Sequence, residues 1–226
     1  MFRHYLSESI GTFALVFAGT GAMVVNEVAG GVVTHVGIAL TFGLVIMVMI
    51  YSVGEISGAH FNPAVTLGFW IAGKFPGQQV GPYVLSQLSG ALLGSVLLRL
   101  LFPMHATLGI TVPAGSIMQS FVLEIVLTFL LMFVIINVAT GSKEQGIMAG
   151  AAIGATVGLA ALFGGPISGA SMNPARSLAP ALVTGQFQSQ WIYLLAPCLG
   201  AGLAVLAYRG LQLKSPVSVP VSTQTD

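Results

Sequence analysis

Residues 56–64 of the chain read Ile-Ser-Gly-Ala-His-Phe-Asn-Pro-Ala, and residues 167–175 read Ile-Ser-Gly-Ala-Ser-Met-Asn-Pro-Ala. The second copy follows the first by 111 residues in a chain of 226. An Asn side chain caps free backbone N–H groups at the start of a helix, and Pro at the first helical position lacks a donor that would have no partner there. The repeat therefore predicts two helices that begin abruptly, at Asn62-Pro63-Ala64 and at Asn173-Pro174-Ala175.

The composition of the chain is that of a membrane protein. Charged residues make up 6% of it and its mean hydropathy is +0.94, whereas a soluble domain has about 25% charged residues. The net charge of +1 argues against a nucleic-acid partner, and the single cysteine, Cys198, excludes an internal disulfide. Stretches long and apolar enough to span a bilayer fall near 5–27, 34–53, 80–102, 118–139, 146–165 and 190–209.

Two shorter apolar stretches, 62–72 and 173–184, begin at the repeated motifs. At about 1.5 Å per residue, eleven residues cover about 16 Å, and the hydrocarbon core of a bilayer is about 30 Å thick. Each short stretch can therefore cross only half of the membrane. We expect the segments before them, 54–61 and 164–172, to run irregularly, with carbonyl groups that must line a water-filled path because they cannot face lipid.

The two halves of the chain also match outside the motifs. Glu8, Thr12, Phe13 and Phe17 recur as Glu124, Thr128, Phe129 and Phe133. The first apolar stretch thus belongs to the fold, although its basic start resembles a cleaved signal peptide. Three full spans per repeat is an odd number, so the second repeat must be inverted. The prediction is an all-α membrane protein with six transmembrane helices plus two half-spanning re-entrant helices in two inverted repeats.

The predicted organisation is a first repeat over 1–112, a second repeat over 113–210 and a disordered cytoplasmic tail over 211–226. Orientation follows from the basic residues, which are enriched on the cytoplasmic side of membrane proteins. With both termini inside, the cytoplasmic side holds Arg3, Lys74, Lys143, Arg209 and Lys214, and the other side holds Arg99 and Arg176. We expect both termini in the cytoplasm and, from the short termini, a prokaryotic inner membrane.

Asn62 and Asn173 are expected to face each other near the midplane, because the two short helices enter from opposite sides. Each helix N-terminus carries about half a positive charge, so two of them directed at one point repel cations and protons. The Asn side chains can still donate N–H groups to a passing oxygen. Together with the loop carbonyls, this arrangement predicts a pore for uncharged, hydroxyl-bearing molecules in single file.

The doubled Asn-Pro-Ala, with Arg176 directly after the second copy, resembles the aquaporin (major intrinsic protein) family over residues 1–210. Residues 165–172 are similar to the nodulin-26-like branch and its bacterial relatives. The resemblance implies a homotetramer with one pore per subunit. It also implies a selectivity constriction formed by Phe42, Ala161, Ala170 and Arg176.

The residues at these positions match neither of two common filters in the family. Water-selective members usually have His at the position of Ala161, and glycerol facilitators usually have two aromatic residues and an Asp at the position of Ser177. One aromatic ring, two methyl groups and one guanidinium suit water together with glycerol-like polyols or metalloid hydroxides. The alternative is a strictly water-selective channel, if Phe42 narrows the passage.

Glu8 and Glu124 lie inside predicted spans, where ionisable residues are costly and often functional. A proton relay is one interpretation. The resemblance favours another, in which each carboxylate braces the re-entrant loop of its own half by accepting N–H bonds. The four His show no metal-ligand spacing, and no catalytic motif is present, so we expect no metal, no cofactor and no enzyme.

Two other classes of protein remain as alternatives to a passive channel. Inverted repeats with broken helices also build secondary active transporters, but coupling needs a titratable group at the midplane, where the motifs place Asn twice. A non-conducting structural membrane protein would have no use for the doubled motif.

Overall fold

The computed structural model describes residues 1–140 and 147–212. Within these ranges six helices are long and apolar enough to cross a membrane, and two shorter helices of 9 and 11 residues begin at the repeated motifs. The helices are α1 (Phe2–Val28), α2 (Thr34–Ser57), α3 (Pro63–Ile71), α4 (Val80–Leu101), α5 (Ile117–Ala139), α6 (Ala149–Ser168), α7 (Pro174–Thr184) and α8 (Gln190–Gln212). The protein is an integral, multi-pass membrane protein, and the predicted fold class is confirmed.

The helices α2 and α6 end later than the sequence predicts. Irregular loops are expected over 54–61 and 164–172, but both helices continue, to Ser57 and Ser168. They end at Gly58 and Gly169, whose φ angles of 83° and 84° lie in the left-handed region that glycine adopts without steric cost. The irregular segments are therefore only 58–62 and 169–173.

Pro166 lies inside α6 and does not end it. Proline has no N–H to donate to the carbonyl four residues earlier, here that of Leu162. His35, at the start of α2, supplies the missing partner, since its Nε2 lies 2.6 Å from the Leu162 oxygen. This bond satisfies the carbonyl, lets α6 continue to its glycine cap, and ties α6 to α2.

The two halves pack through matching pairs of helices. α1 lies against α4 as α5 lies against α8, and α2 crosses to α6 of the other half. Glycine permits the close approach: a Cβ at Gly90 would lie 2.0 Å from the Ser9 carbonyl oxygen, and one at Gly200 would lie 2.3 Å from that of Ile125. Such contacts hold helices together in lipid, where close packing replaces the hydrophobic effect.

The short helices connect the halves to each other. α3 packs against α8, and α7 packs against α4. Arg209, near the end of α8, donates to the carbonyl of Ile71 at the end of α3, where a cation is favourable. The expectations for Lys143, Lys214 and the tail over 213–226 fall outside the described residues; α8 itself continues to Gln212, past the boundary predicted at 210.

Replacing Gly90 with Ala should destabilise the protein by about 3 kcal/mol, because the added methyl group forces two backbones apart. Gly202→Ala is the matched control, since a Cβ there meets nothing within 4 Å. Thermal unfolding of the purified variants in detergent measures the effect. Equal unfolding temperatures for the two variants would contradict the role given to this contact.

Candidate functional site

The repeated motifs start α3 and α7 by the same cap. The Asn62 side-chain oxygen accepts from the backbone N–H of Ala64 at 2.8 Å. The Asn173 side-chain oxygen accepts from Ala175 at 3.0 Å and from Arg176 at 3.3 Å. The proline that follows each Asn is the first helical residue, where its missing N–H costs nothing.

The two caps are joined across the pseudo-symmetric halves. The Asn62 Nδ2 donates to the Met172 carbonyl at 2.7 Å, and the Asn173 Nδ2 donates to the Phe61 carbonyl at 2.9 Å. The structure thus brings together the two motifs that the sequence separates by about half the chain. A side-chain amide has two N–H groups, so each Asn keeps one for another acceptor.

The loops before the motifs have an unusual backbone that is the same in both halves. Ala59 and Phe61 have φ angles of 50°, and Ala170 and Met172 have φ angles of 42° and 53°. Left-handed conformations of non-glycine residues cost about 1–3 kcal/mol each and persist only where surrounding contacts enforce them.

Two buried carboxylates provide those contacts. In the first half, Glu8 accepts from the backbone N–H groups of His60 and Phe61 at 2.9 and 2.8 Å. In the second half, Glu124 accepts from Ser171 and Met172, both at 2.8 Å. Glu8 also accepts from the hydroxyl of Ser57 at the end of α2, and Glu124 accepts from the hydroxyl of Ser168 at the end of α6.

Other residues around the loops were not assigned a role from the sequence. Tyr83 donates to the Ser57 carbonyl at 2.9 Å, and Tyr193 donates to the Ser168 carbonyl at 2.7 Å. The two tyrosines occupy equivalent positions in the two repeats, and this recurrence could have indicated a shared structural role. Gln87, which donates to Glu8 at 2.8 Å, gave no such signal, because the matching position in the second half is a proline.

A cavity of about 780 Å³ passes the Asn pair. Its lining includes both motif Asn residues and the four residues assigned to the constriction, Phe42, Ala161, Ala170 and Arg176. It extends from the Arg176 end to Tyr51 and Glu55 near the end of α2, and its walls are mainly aliphatic. Glu8 and Glu124 are absent from the described residues that line it.

The carbonyl groups of the re-entrant loops supply the polar side of this cavity. Among the described residues, no protein donor reaches the carbonyl oxygens of 58–60 or 169–171. Gly58, Ala59, His60, Ala170 and Ser171, all in these two segments, line the cavity. An acceptor without a protein partner in a membrane needs water as its partner.

Arg176 is 2% exposed and is held at one end of the cavity. Its Nη1 donates to the Gly109 carbonyl at 2.7 Å, its Nη2 donates to the Met23 sulfur at 3.2 Å, and its guanidinium lies 5.1 Å from the centre of the Phe42 ring. The Nε is buried and has no partner among the described residues. Neither Met23 nor Gly109 could be found from sequence patterns, because both approach Arg176 from distant parts of the chain.

His60 and Ser171 occupy equivalent places in the two loops and differ in surroundings. His60 stacks on Phe69 with ring centres 4.7 Å apart, and its Nδ1 lies 3.1 Å from the Thr66 hydroxyl. Ser171 instead lies 2.5 Å from the Ser177 hydroxyl. Within the described ranges, no group of three or more His, Cys, Asp or Glu could hold a metal ion.

Comparison with known proteins gives consistent results. The family model described as "Major intrinsic protein" matches residues 1–208. Aquaporin NIP1-1 of Zea mays is 52% identical over 204 residues, which cover 90% of this chain and 72% of the maize protein. Nodulin-26 of Glycine max is 52% identical over 197 residues, covering 87% of this chain and 73% of the soybean protein.

The fold has a solved counterpart. The X-ray structure of the aquaglyceroporin from Plasmodium falciparum superposes with a TM-score of 0.84 at 25% identity, covering 92% of this chain and 95% of the other. The resemblance drawn from the doubled motif is thus confirmed. The chain belongs to the aquaporin, or major intrinsic protein, family, whose members are channels rather than enzymes.

Proposed function

We propose that this protein is a passive channel for water and small uncharged solutes such as glycerol, and that it excludes ions and protons. The observation that carries the proposal is that Asn62, Asn173 and Arg176 all line the same cavity. The cavity has hydrogen-bond donors at the Asn62–Asn173 pair and at Arg176, and it has carbonyl acceptors along the two re-entrant loops. Hydroxyl-bearing solutes need both kinds of partner in place of the water that they leave behind.

Charge exclusion follows from the groups that line the path. The N-termini of α3 and α7 each contribute about half a positive charge, and Arg176 adds a full charge at the constriction. The interior of a membrane protein screens these charges weakly. A cation or a hydrated proton in the path therefore meets repulsion at the Asn pair and at Arg176.

Passage of glycerol follows from the small side chains opposite Arg176. Ala161 and Ala170 contribute one methyl group each, and Phe42 provides an apolar surface for the carbon atoms of a polyol. The strictly water-selective alternative would require Phe42 to narrow the passage. The names of the two kinds of relative, aquaporin and aquaglyceroporin, fit either solute range.

Glu8 and Glu124 are proposed to brace the re-entrant loops. Every hydrogen bond that their carboxylate oxygens accept from the described residues comes from a loop, a helix end or Gln87. Neither carboxylate is among the described residues that line the cavity. A proton-coupled transporter would need one of these carboxylates to reach the transported solute. Their position behind the loops favours the passive channel.

Homotetrameric assembly and cytoplasmic termini complete the proposal. The maize and soybean relatives named above are plant proteins and give no support to the expected prokaryotic inner membrane. The exposed apolar residues along the long helices, such as Leu44, Leu93 and Leu203, suit contact with lipid or with neighbouring subunits.

Stopped-flow light scattering of reconstituted liposomes tests the function. With an impermeant osmolyte, the liposomes should shrink fast; with glycerol, fast shrinkage should be followed by fast re-swelling. Shrinkage without re-swelling would establish the strictly water-selective alternative. A flux that saturates or collapses with the proton gradient would establish a transporter.

Ala161→His should lower glycerol permeability about tenfold and water permeability much less, because an imidazole narrows the passage. Ala161→Ser is the matched control, since it adds polarity without the ring and should keep the ratio of glycerol to water near that of the wild type. Equal losses of both permeabilities in Ala161→His would argue that this position does not select by size.

Arg176→Val should raise cation and proton leak, because it removes the fixed charge at the constriction. A unit charge at about 5 Å and an effective dielectric constant of about 20 contributes about 3 kcal/mol, which corresponds to about a hundredfold in permeability. Ion leak is followed with a pH-sensitive dye inside the liposomes. Arg3→Val, at an exposed position in the first turn of α1, serves as the control, and an unchanged leak in Arg176→Val would refute the role of the charge.

A further inference from the structure

One face of α1 lies behind the constriction. Leu15, Gly19 and Met23 follow each other at intervals of four residues, which places them in a row along the helix. Leu15 lines the cavity, whereas Gly19 and Met23 are absent from the described residues that line it. These two contact the constriction from outside the lumen.

Gly19 provides space for the Phe42 ring. A Cβ built at Gly19 would lie 2.2 Å from Cε1 of Phe42 and 2.6 Å from its Cδ1 and Cζ. These distances are far below van der Waals contact, so the ring lies in a recess that exists because α1 has no side chain at this position. With any larger residue at position 19, the ring must move away from α1, toward the cavity that it lines.

Met23 performs the corresponding task for Arg176, one helical turn further along. Its sulfur accepts from Nη2 at 3.2 Å, while the Gly109 carbonyl accepts from Nη1 at 2.7 Å. The two acceptors hold both ends of the guanidinium against the wall. Without the sulfur, the group can turn about the Gly109 bond, and its free N–H groups will seek oxygen partners in the lumen.

We propose that Gly19 and Met23 are specificity-determining residues that keep the constriction wide by drawing Phe42 and Arg176 back from the lumen. The inference rests on the proposed channel function and deepens it, because it assigns the upper size limit of the solute to a helix outside the pore lining. A channel with the same four constriction residues, but with other residues at positions 19 and 23 of α1, would have a narrower passage.

The experiment measures water and glycerol permeability of Gly19→Ala in reconstituted liposomes, corrected for the amount of protein. The ratio of glycerol to water permeability should fall about tenfold, the effect of one methyl group in a fitted site. Gly21→Ala is the matched control on the same helix. Its Cβ would meet only the flexible end of Leu98, at 3.3 Å, and its ratio should equal that of the wild type.

A double-mutant cycle separates an effect on the ring from a general effect on the helix. Phe42→Ala removes the ring, so Gly19→Ala should have no further effect on either permeability in that background. If Gly19→Ala is as harmful without the ring as with it, or if Gly21→Ala lowers the ratio as much, the proposal is wrong.

The arginine half of the proposal is tested separately, which keeps it falsifiable if Gly19→Ala fails to fold. Met23→Leu conserves volume but lacks the acceptor, and it should lower the ratio of glycerol to water about threefold, the scale of one hydrogen bond. Met23→Gln restores an acceptor and should restore the ratio. A fall in Met23→Gln as large as that in Met23→Leu would overturn the assignment.

The permeability of the wild-type protein distinguishes a failure of this inference from a failure of the proposed function. A wild-type protein that passes neither solute would refute the channel, and the inference with it. A wild-type protein that passes water alone would refute the glycerol proposal only. The same cycle, measured on water permeability, would then support the inference if Gly19→Ala acts through Phe42 and refute it if not.

Discussion

A backbone N–H or carbonyl group inside a bilayer must find its partner within the protein or in an enclosed aqueous path. This constraint accounts for most of the site. The N–H groups that begin α3 and α7 are capped by Asn62 and Asn173, and N–H groups of the loops are bound by Glu8 and Glu124. Carbonyl groups remain, and the row that they form along the cavity gives the path its polarity.

Much of this arrangement could be predicted from the sequence, because it depends on local chemistry that occurs twice. Asn followed by Pro marks the start of a helix wherever it occurs, and two copies in a chain with 6% charged residues mark two broken membrane helices. Glu8 and Glu124 could be found because each recurs with its neighbours. The ends of α2 and α6 were placed too early, because the segments before the motifs were expected to be irregular throughout, whereas both helices continue to the glycine cap, Gly58 or Gly169. In α6 this continuation passes Pro166, and the His35 contact with the Leu162 carbonyl that accompanies it joins residues far apart in the sequence.

The surroundings of the constriction could not be predicted in the same way. Phe42, Ala161, Ala170 and Arg176 were assigned to the constriction through the family resemblance, but the positions of their side chains depend on what lies behind them. Gly19 in α1 resembles the other glycines of a helix rich in small residues, and Met23 resembles any apolar residue near a helix end. Their contacts with Phe42 and Arg176 arise only when α1, α2 and α7 pack together.

The hydrogen bonds that join the two motifs also have a consequence for how the protein is made. Asn62 binds a carbonyl that is 110 residues further along the chain, and Asn173 binds one that is 112 residues earlier. At about 10 residues per second, the ribosome needs about 10 s to supply the second partner. Throughout that interval the first short helix lacks the partners that these two bonds provide. If it enters the membrane before the second half is made, its polar groups need water, the insertion machinery or another chain as partners until then.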